Sequence, residues 1–557
     1  MAVEAKLRTR ESRGARSFTA GQRATMVSAA LGLAVWLVYL NTLSNPFVFD
    51  DHRLILENRP LVDGAGLAAI IWRDVTRPLV NLSYALDMAV WGSGPFGLHV
   101  TNVLLHALNV VLVFFTARAL VGDAVAARSG DDEHAGGIDI AAATSAALFA
   151  IHPALTQAVV YISGRSELLC VALLLPALLR FRRFVRGGGV RWLAAGLVFW
   201  VGALTAKEVA AMLPFLLLAY DRLLVADGSA ARRARLMRLH LPLIAVVIAA
   251  AGVRVWLLTA VEYVSAPFDG SLILVALDAL RRYLWLVIAP AGQTIFHALP
   301  AIDSVADIRA LTAFATLGAL AAFAWLVARA SGLVPFGICW FVLLLIPSSA
   351  LFVLGRGEAM AEHRLYGASI GLFLVFGEAT RSLVLRLAAR RRPARVLFYT
   401  GLALMALQLA GRTLLRNAVW SDPVALWRES AAYAPDHWVP RLMLAETIRE
   451  RDGCSAAEPE YRLAARLRPE ETFPAQKLGA CLIDLGRLSD AEAVFERLSR
   501  MAPASAEGPT GLALVAMAAG RPDESRRHLL EAIRRDAAAE LPRRLLDTLD
   551  RAADQSP

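Results

Sequence analysis

The sequence predicts an all-α protein in two parts, a polytopic membrane helical bundle followed by a soluble α-solenoid. Three observations carry that expectation. Of 557 residues 57% are hydrophobic, and they fall in unbroken blocks near the roughly 20 residues a helix needs to cross a bilayer. Arginines collect in short loops between those blocks. Toward the C-terminus the blocks give way to a pattern that repeats every 34 residues.

Residues 1–24 read as a cytoplasmic basic tail carrying Lys6, Arg8, Arg10, Arg13, Arg16 and Arg23. The apolar block Ala24–Leu43 follows. It is long for a signal sequence and no small-residue cleavage site comes after it, so it reads as an uncleaved first span entered from the cytoplasm. Further blocks lie at 98–120, 140–162, 166–181, 191–206, 208–225, 241–260, 310–329, 333–353, 364–386 and 396–415, making about 11 transmembrane helices. The basic loops around Arg180–Arg191, Arg232–Arg238 and Arg386–Arg395 then all face the cytoplasm, as the inside bias of positive charge requires. A further apolar stretch, 271–290, holds Asp278, Arg281 and Arg282 at its middle. Counting it as a crossing would expose Arg386–Arg395 outside, so it is expected to be interfacial or re-entrant on the outer face. An odd number of spans leaves the C-terminal part outside the cytoplasm. The predicted organisation is a membrane domain over 25–418, with large outer loops at 44–97 and 261–309, and a repeat domain over 419–557.

The net charge of +10 is almost wholly arginine, with lysine only at Lys6, Lys207 and Lys477. Those arginines flank membrane blocks, which excludes a nucleic-acid surface. The arginine bias suggests a GC-rich bacterial genome and hence a multi-pass protein of the bacterial inner membrane. The four cysteines have no metal or redox spacing.

In the C-terminal part Pro435, Pro469 and Pro503 recur at intervals of 34, as do Tyr461, Phe495 and Leu529, and Ala445, Gly479 and Ala513. Gly453, Gly486 and Gly520 follow within a residue. Small residues where paired helices cross, and proline closing the second helix, form the tetratricopeptide pattern. Three repeats and a capping helix over 538–552 are expected, about the minimum that buries a continuous core. Such arrays bind a protein partner or simply cap a structure.

Chemistry concentrates in and near the first outer loop. Asp50 and Asp51 closely follow the first span. In an extended segment adjacent side chains point to opposite faces, so one of the two is expected to face a reaction centre. A carboxylate above the membrane surface suits general-base removal of a hydroxyl proton; taken alone, the pair reads equally as a solvated loop. His99, Asn102, His106 and Asn109 form one stripe on the second span. His99, nearest the outer face, is the functional candidate, and the others read as helix-packing residues. His152-Pro153 interrupts an apolar run, Gly164-Arg165-Ser166-Glu167 marks an outer turn, and Lys207-Glu208 ends the fifth span. Arg356, Glu358, Glu362, His363, Arg364 and Tyr366 gather before the tenth. Arginine and lysine at that height can clamp a lipid phosphate, or serve as local ion pairs and snorkelling anchors.

At FVFDDHRLILENRPLV, RPLVNLSYALD, GLHVTNVLLHALN, AIHPALTQAVVYISGRSELL, LTAKEVAAMLPF and AEHRLYGASIGLF the chain resembles the transmembrane and tetratricopeptide-repeat O-mannosyltransferases, membrane glycosyltransferases of the GT-C class. The resemblance implies a polyprenyl- or dolichyl-phosphate sugar donor and inversion at the anomeric carbon. It implies Asp50 as the base, with Asp51 supporting it or exchanging roles, and Arg165, Lys207 and Arg364 as holders of the donor phosphate. Glu167, Glu208 and Glu362 would orient those cations, and His152 and Tyr366 would position donor or acceptor. The sequence departs from the pattern at His363-Arg364-Leu365-Tyr366, where relatives commonly carry an Arg-Tyr pair before Leu-Tyr, and its repeat array is shorter.

The expected activity is therefore transfer of mannose or another hexose from a polyprenyl-phosphate donor to a hydroxyl acceptor, a Ser/Thr of an exported protein or a glycan, beside membrane lipids. No cofactor is required and no metal site is assigned; the adjacent carboxylates leave a divalent ion open. The competing expectations are a non-catalytic scaffold recruiting partners through extracytoplasmic repeats, and a transporter, which would place its charges near the midplane.

Overall fold

The computed structural model of the chain describes residues 19–128, 137–260, 270–353, 358–388 and 392–554. The tail cations before Thr19, Arg356, and residues 389–391 of the third basic stretch lie outside these. Among the described residues there is no strand. The chain divides into two compact units, one of residues 1–293 and 299–421, the other of Thr294–Ala298 and Asp422–Pro557.

In the first unit, helix α1 (Ala20–Tyr39) starts at a capping box, with Thr19 Oγ1 accepting from the Gln22 amide and Gln22 Oε1 accepting from the Thr19 amide. This satisfies two of the donors that a helix start leaves unpaired. The outer-loop segment carries α2 (Leu67–Arg73) and α3 (Pro78–Trp91). Helix α4 (Pro95–Ala126) is 32 residues long, about 48 Å at the helical rise. Helix α5 (Ile138–Ile151) stops at His152, and the chain resumes in α6 (Thr156–Val160) after a 58° bend. The cause is local. Pro153 has no amide hydrogen to donate and drives the preceding residue out of the helical region, and His152 is extended at φ −78°, ψ 125°. Next come α7 (Arg165–Val185), α8 (Val190–Leu204), α9 (Leu213–Leu223), α10 (Leu241–Ala260), α11 (Ser271–Ile288), α12 (Ile308–Ala328), α13 (Leu333–Val353), α14 (Leu365–Ala388) and α15 (Arg392–Val419).

All eleven apolar blocks are helical, but length and composition qualify six described helices as membrane spans, or seven if the bent α5–α6 pair counts as one. The others are shortened or carry charge, such as α9 with 11 residues. The chain is a multi-pass membrane protein, and the count of eleven is not reproduced. The 271–290 stretch is one continuous helix rather than a re-entrant hairpin. Its buried Asp278 takes salt bridges from Arg281 at 2.6 Å and Arg282 at 2.8 Å on the next turn, so its mid-helix charges neutralise one another.

Close helix crossings fix the bundle. A Cβ on Gly371 of α14 would overlap the Gly337 carbonyl oxygen of α13, and the reverse is also true; one on Gly377 would overlap Ser145 and the Ala141 carbonyl of α5. Small residues allow such approach where no hydrophobic driving force separates helix from lipid.

Two polar clusters mark the ends of α4. Far from Pro95, Asp123 accepts from Arg182, Arg186 and Tyr220, Asp221 from Arg235 and His240, and Glu378 from Arg381. These include arginines of the predicted cytoplasmic loops. His99 lies at the opposite end, 24 residues away along the same helix, or about 36 Å, slightly more than a hydrocarbon core.

The second unit is a solenoid of α16 (Pro423–Tyr433), α17 (Trp438–Asp452), α18 (Cys454–Leu467), α19 (Thr472–Asp484), α20 (Leu488–Met501), α21 (Glu507–Ala518), α22 (Pro522–Arg535) and α23 (Glu540–Asp554). Pro469 and Pro503 fall two residues after α18 and α20, where the second helix of each pair ends. Phe495 is buried between Gly479 and Gly511, where any Cβ would strike its ring. Thr294–Ala298 belongs to this unit, with the Phe296 ring 5.1 Å from that of His437.

Candidate functional site

The acidic pair sits on a helical turn, not the extended segment expected from sequence. Asp51 has helical dihedrals (φ −58°, ψ −35°) and opens the short His52–Leu56 turn. Phe49 just before it has φ +53°, a left-handed conformation that a bulky residue adopts only when its surroundings impose it. The two carboxylates diverge. Asp51 is 1% exposed; its Oδ1 accepts from the Ser163 amide at 2.8 Å and hydroxyl at 2.5 Å, and its Oδ2 from the Val48 amide at 3.1 Å. Burial pushes its carboxyl from about 3.8 up to about 7, against the pull of those three donors, with the Asp50 charge adding to the rise. Asp50 is half-buried and anchored through its backbone, whose amide donates to the Tyr161 hydroxyl at 3.0 Å. Its carboxylate has no hydrogen bond or ion pair among the described residues. Asp51 thus latches the loop onto the 161–163 turn and leaves Asp50 presented.

The cations sort differently from the sequence expectation. Arg165 is completely buried. It pairs with Asp87 at 2.6 Å, donates to Leu98 O and Asn102 Oδ1 at 2.8 Å each and to Ser83, and lies over the Tyr84 ring at 4.7 Å. Its guanidinium is thus engaged by protein groups at each of its nitrogens. Its role is to tie α3, α4 and α7 together beneath the loop. Lys207 is also buried and paired with Glu167 at 2.7 Å. Glu208 bridges not to its neighbour Lys207 but to half-exposed Arg77 at 3.5 Å, the residue preceding the loop helix α3. The Leu79 amide donates to Thr205 O, docking that helix start on the turn before Lys207.

Arg364 is half-buried, donating to the Glu358 carbonyl at 2.7 Å. Lys207, Arg364 and Arg77 each lie within electrostatic range of His363. Tyr84 of α3 feels Arg77, Asp51 and Asp87 together, which brings the acidic turn within range of the cations. Burial is the main cause of the raised Tyr84 hydroxyl, partly offset by Arg165.

The remaining candidates hold the frame. His99 Nε2 contacts the Asn45 carbonyl at 3.1 Å beneath the acidic loop. His152 accepts from the Ala154 amide and contacts Val287 O. Tyr366 is fully buried; its hydroxyl accepts from Asn109 Nδ2 at 3.1 Å and lies 2.9 Å from His106 Nδ1. Glu362 accepts from Gln293 at 3.1 Å. His99, His152 and Tyr366 are buried and hydrogen-bonded within the bundle. Much of this polarity answers the α5–α6 break, whose loosened carbonyls receive Thr413 at Ile151, Gln293 at Pro153 and Asn102 at Val159. Arg77, Asp87, Tyr161 and Ser163 were missed in sequence. Only Arg77, a cation between an acidic turn and a proline-started helix, carried a usable signal. Among the described residues no three His, Cys, Asp or Glu side chains form a metal-holding cluster.

Fold and site thus define a class: a multi-pass membrane protein with an acid-and-cation site at one end of its bundle and a tetratricopeptide solenoid as a separate unit. Homologues of this chain are the protein O-mannosyl-transferases of the TMTC group. TMTC4 of Mus musculus is 24% identical over 493 residues, covering 78% of this chain and 65% of that protein. TMTC3 of Mus musculus is 23% identical over 519 residues, covering 84% and 54%. Tmtc1 of Drosophila melanogaster is 31% identical over 195 residues, 33% of this chain and 21% of that protein. The chain spans less than two thirds of the length of these relatives. No protein-family model matches it. A solved structure, the APC/C hetero-tetramer Cut9-Hcn1, covers 81% of this chain at 14% identity with a TM-score of 0.22, too low to bear on the fold.

Proposed function

We propose that this chain is an inverting membrane glycosyltransferase that moves a hexose, mannose first among them, from a polyprenyl-phosphate donor to a protein hydroxyl on the extracytoplasmic face. The observation that carries the reading is the Asp50 carboxylate, unpaired among the described residues, on a loop whose other acid is fully bonded. Asp50 takes the acceptor proton as the hydroxyl oxygen bonds to the anomeric carbon, and the bond from that carbon to the phosphate breaks. Arg77 and Arg364, the half-exposed cations, receive the departing lipid phosphate, and Lys207 adds positive potential from behind. Arg165 keeps α3 in place and touches no substrate. The arginine-rich cluster at the other end of α4 supports a cytoplasmic setting for that end. The homologues' names support mannose transfer to protein.

The test is incubation of the purified, detergent-solubilised chain with labelled polyprenyl-phosphate mannose and an exported Ser/Thr-rich acceptor. The wild-type chain is expected to label the acceptor. Asp50→Asn is expected to lower turnover at least 100-fold, the scale of a positioned acid or base, with an unchanged unfolding midpoint. A folded Asp50→Asn that transfers at the wild-type rate would remove Asp50 from the reaction. An unchanged membrane phenotype for that variant would favour a scaffold.

A further inference from the structure

Sequence spacing gives the cysteines no pairing, yet the solenoid brings two of them together. Cys454 opens α18 and Cys481 lies in the last turn of α19, 27 residues on. The Cys481 thiol donates to the Cys454 carbonyl at 3.4 Å, which sets the two cysteines side by side. Cys454 is half-buried and its thiol donates to Asp484 Oδ2 at 3.5 Å, whereas Cys481 is buried. The other two cysteines, Cys170 and Cys339, belong to the membrane unit, so the pair has no competing partner within its own unit.

We infer that Cys454 and Cys481 are a disulfide-forming pair that clips the first tetratricopeptide hairpin to the second. The clip would join the start of one hairpin's second helix to the end of the next hairpin's first helix, adding a covalent link to a junction that already carries the Lys477–Glu446 and Arg487–Glu458 ion pairs. The oxidant is a disulfide compound, and exchange starts at the accessible thiol. Cys454 loses its proton, attacks one sulfur of the oxidant and releases the other as a thiolate. Cys481 then loses its proton and attacks Cys454 Sγ, forming the Cys454–Cys481 bond and expelling the second thiol. Two electrons and two protons leave the protein, and the oxidant's disulfide becomes two thiols. Burial raises both thiols; Cys454 is the less buried and meets the oxidant first, and Cys481 follows once Cys454 carries the leaving group.

The inference is independent of the proposed transfer reaction, because it requires no turnover. The full-length protein in detergent would be equilibrated with glutathione disulfide at mildly alkaline pH, trapped with an alkylating agent, digested and mass-analysed without reduction. The expected result is a peptide linking Cys454 to Cys481, lost on dithiothreitol treatment and absent from Cys454→Ser. The apparent unfolding midpoint of the oxidised protein should rise by several degrees, a rise missing in that variant. Stable glutathione adducts on Cys454 without the linked peptide would overturn the inference, as would two alkylated thiols after full equilibration. The same digest of freshly alkylated native membranes reads the compartment. There a linked peptide supports, and a fully alkylated pair contradicts, the extracytoplasmic setting of the repeats, so failure of that setting is distinguishable from failure of the pairing.

Discussion

Removing Arg165 separates a frame residue from a substrate-binding one. Its guanidinium has no exposed surface, pairs with Asp87 at 2.6 Å and donates to Leu98 O and Asn102. Arg165→Met keeps an apolar stem of similar length but strands the Asp87 carboxylate, itself 4% exposed. Breaking a buried pair from one side costs about 3–5 kcal/mol. The Leu98 carbonyl loses its donor as well, which taken alone costs about 1–3 kcal/mol. The two figures overlap, because the first already includes groups left unpaired, so the single variant should lose about 3–5 kcal/mol in all. Asp87→Asn alone should cost less, since an amide still accepts from Arg165 through its oxygen. In the double variant Arg165→Met, Asp87→Asn no charge is stranded, and about 1–3 kcal/mol should return as coupling between the sites. The assay is thermal unfolding of the four proteins in one detergent, followed by tryptophan fluorescence, with mannose transfer measured on each. Stability and transfer should fall together in Arg165→Met and recover together in the double variant. If Arg165→Met kept the wild-type midpoint while transfer vanished, the guanidinium would be meeting substrate, and the structural role assigned to it would be wrong.

Further expectations concern the loop, the cations and the crossings. Asp51 is raised in the folded chain, so between about pH 4 and 7 the folded state holds a proton that the unfolded state has lost. Stability should therefore fall as pH rises through that window and level off above it. Asp51→Asn should flatten this part of the midpoint-versus-pH profile, and identical slopes in the two proteins would contradict the buried acid. Arg77→Ala should raise the KM for a polyprenyl-phosphate sugar about tenfold, since its bridge to Glu208 is half-exposed and structurally weak; an unchanged KM would exclude Arg77 from the donor site. Gly371→Ala should cost about 1–3 kcal/mol by forcing α13 and α14 apart, read as a lower midpoint for the membrane unit, with an unchanged midpoint meaning the crossing can relax. Gly511→Ala should lower the midpoint of the solenoid by a similar energy through the Phe495 ring.

The architecture was legible in sequence because its signals are local or periodic. Apolar block length gave the helices, and the 34-residue recurrence of Pro469, Pro503, Tyr461 and Phe495 gave the hairpins. The acidic turn was visible too, but its geometry was not: Phe49 is left-handed, and Asp51 is fastened to Ser163, more than a hundred residues away. The cations were legible as a group and not as individuals. Arg165 and Lys207 look alike beside nearby glutamates, and only tertiary packing shows that Arg165 takes Asp87, Lys207 takes Glu167, and Glu208 is left to Arg77. The Cys454–Cys481 contact was equally hidden, since neither spacing nor composition encodes which helix ends meet.

The kink at Pro153 has a consequence for how this bundle can change over time. Once a crossing helix is interrupted, its orphaned acceptors need surrogate donors, and Thr413, Gln293 and Asn102 supply them from distant parts of the chain. Those side chains are tenants of the kink. A lineage that straightened this helix would release all three positions to drift toward apolar residues, whereas one that retains the proline must keep replacing each donor with another.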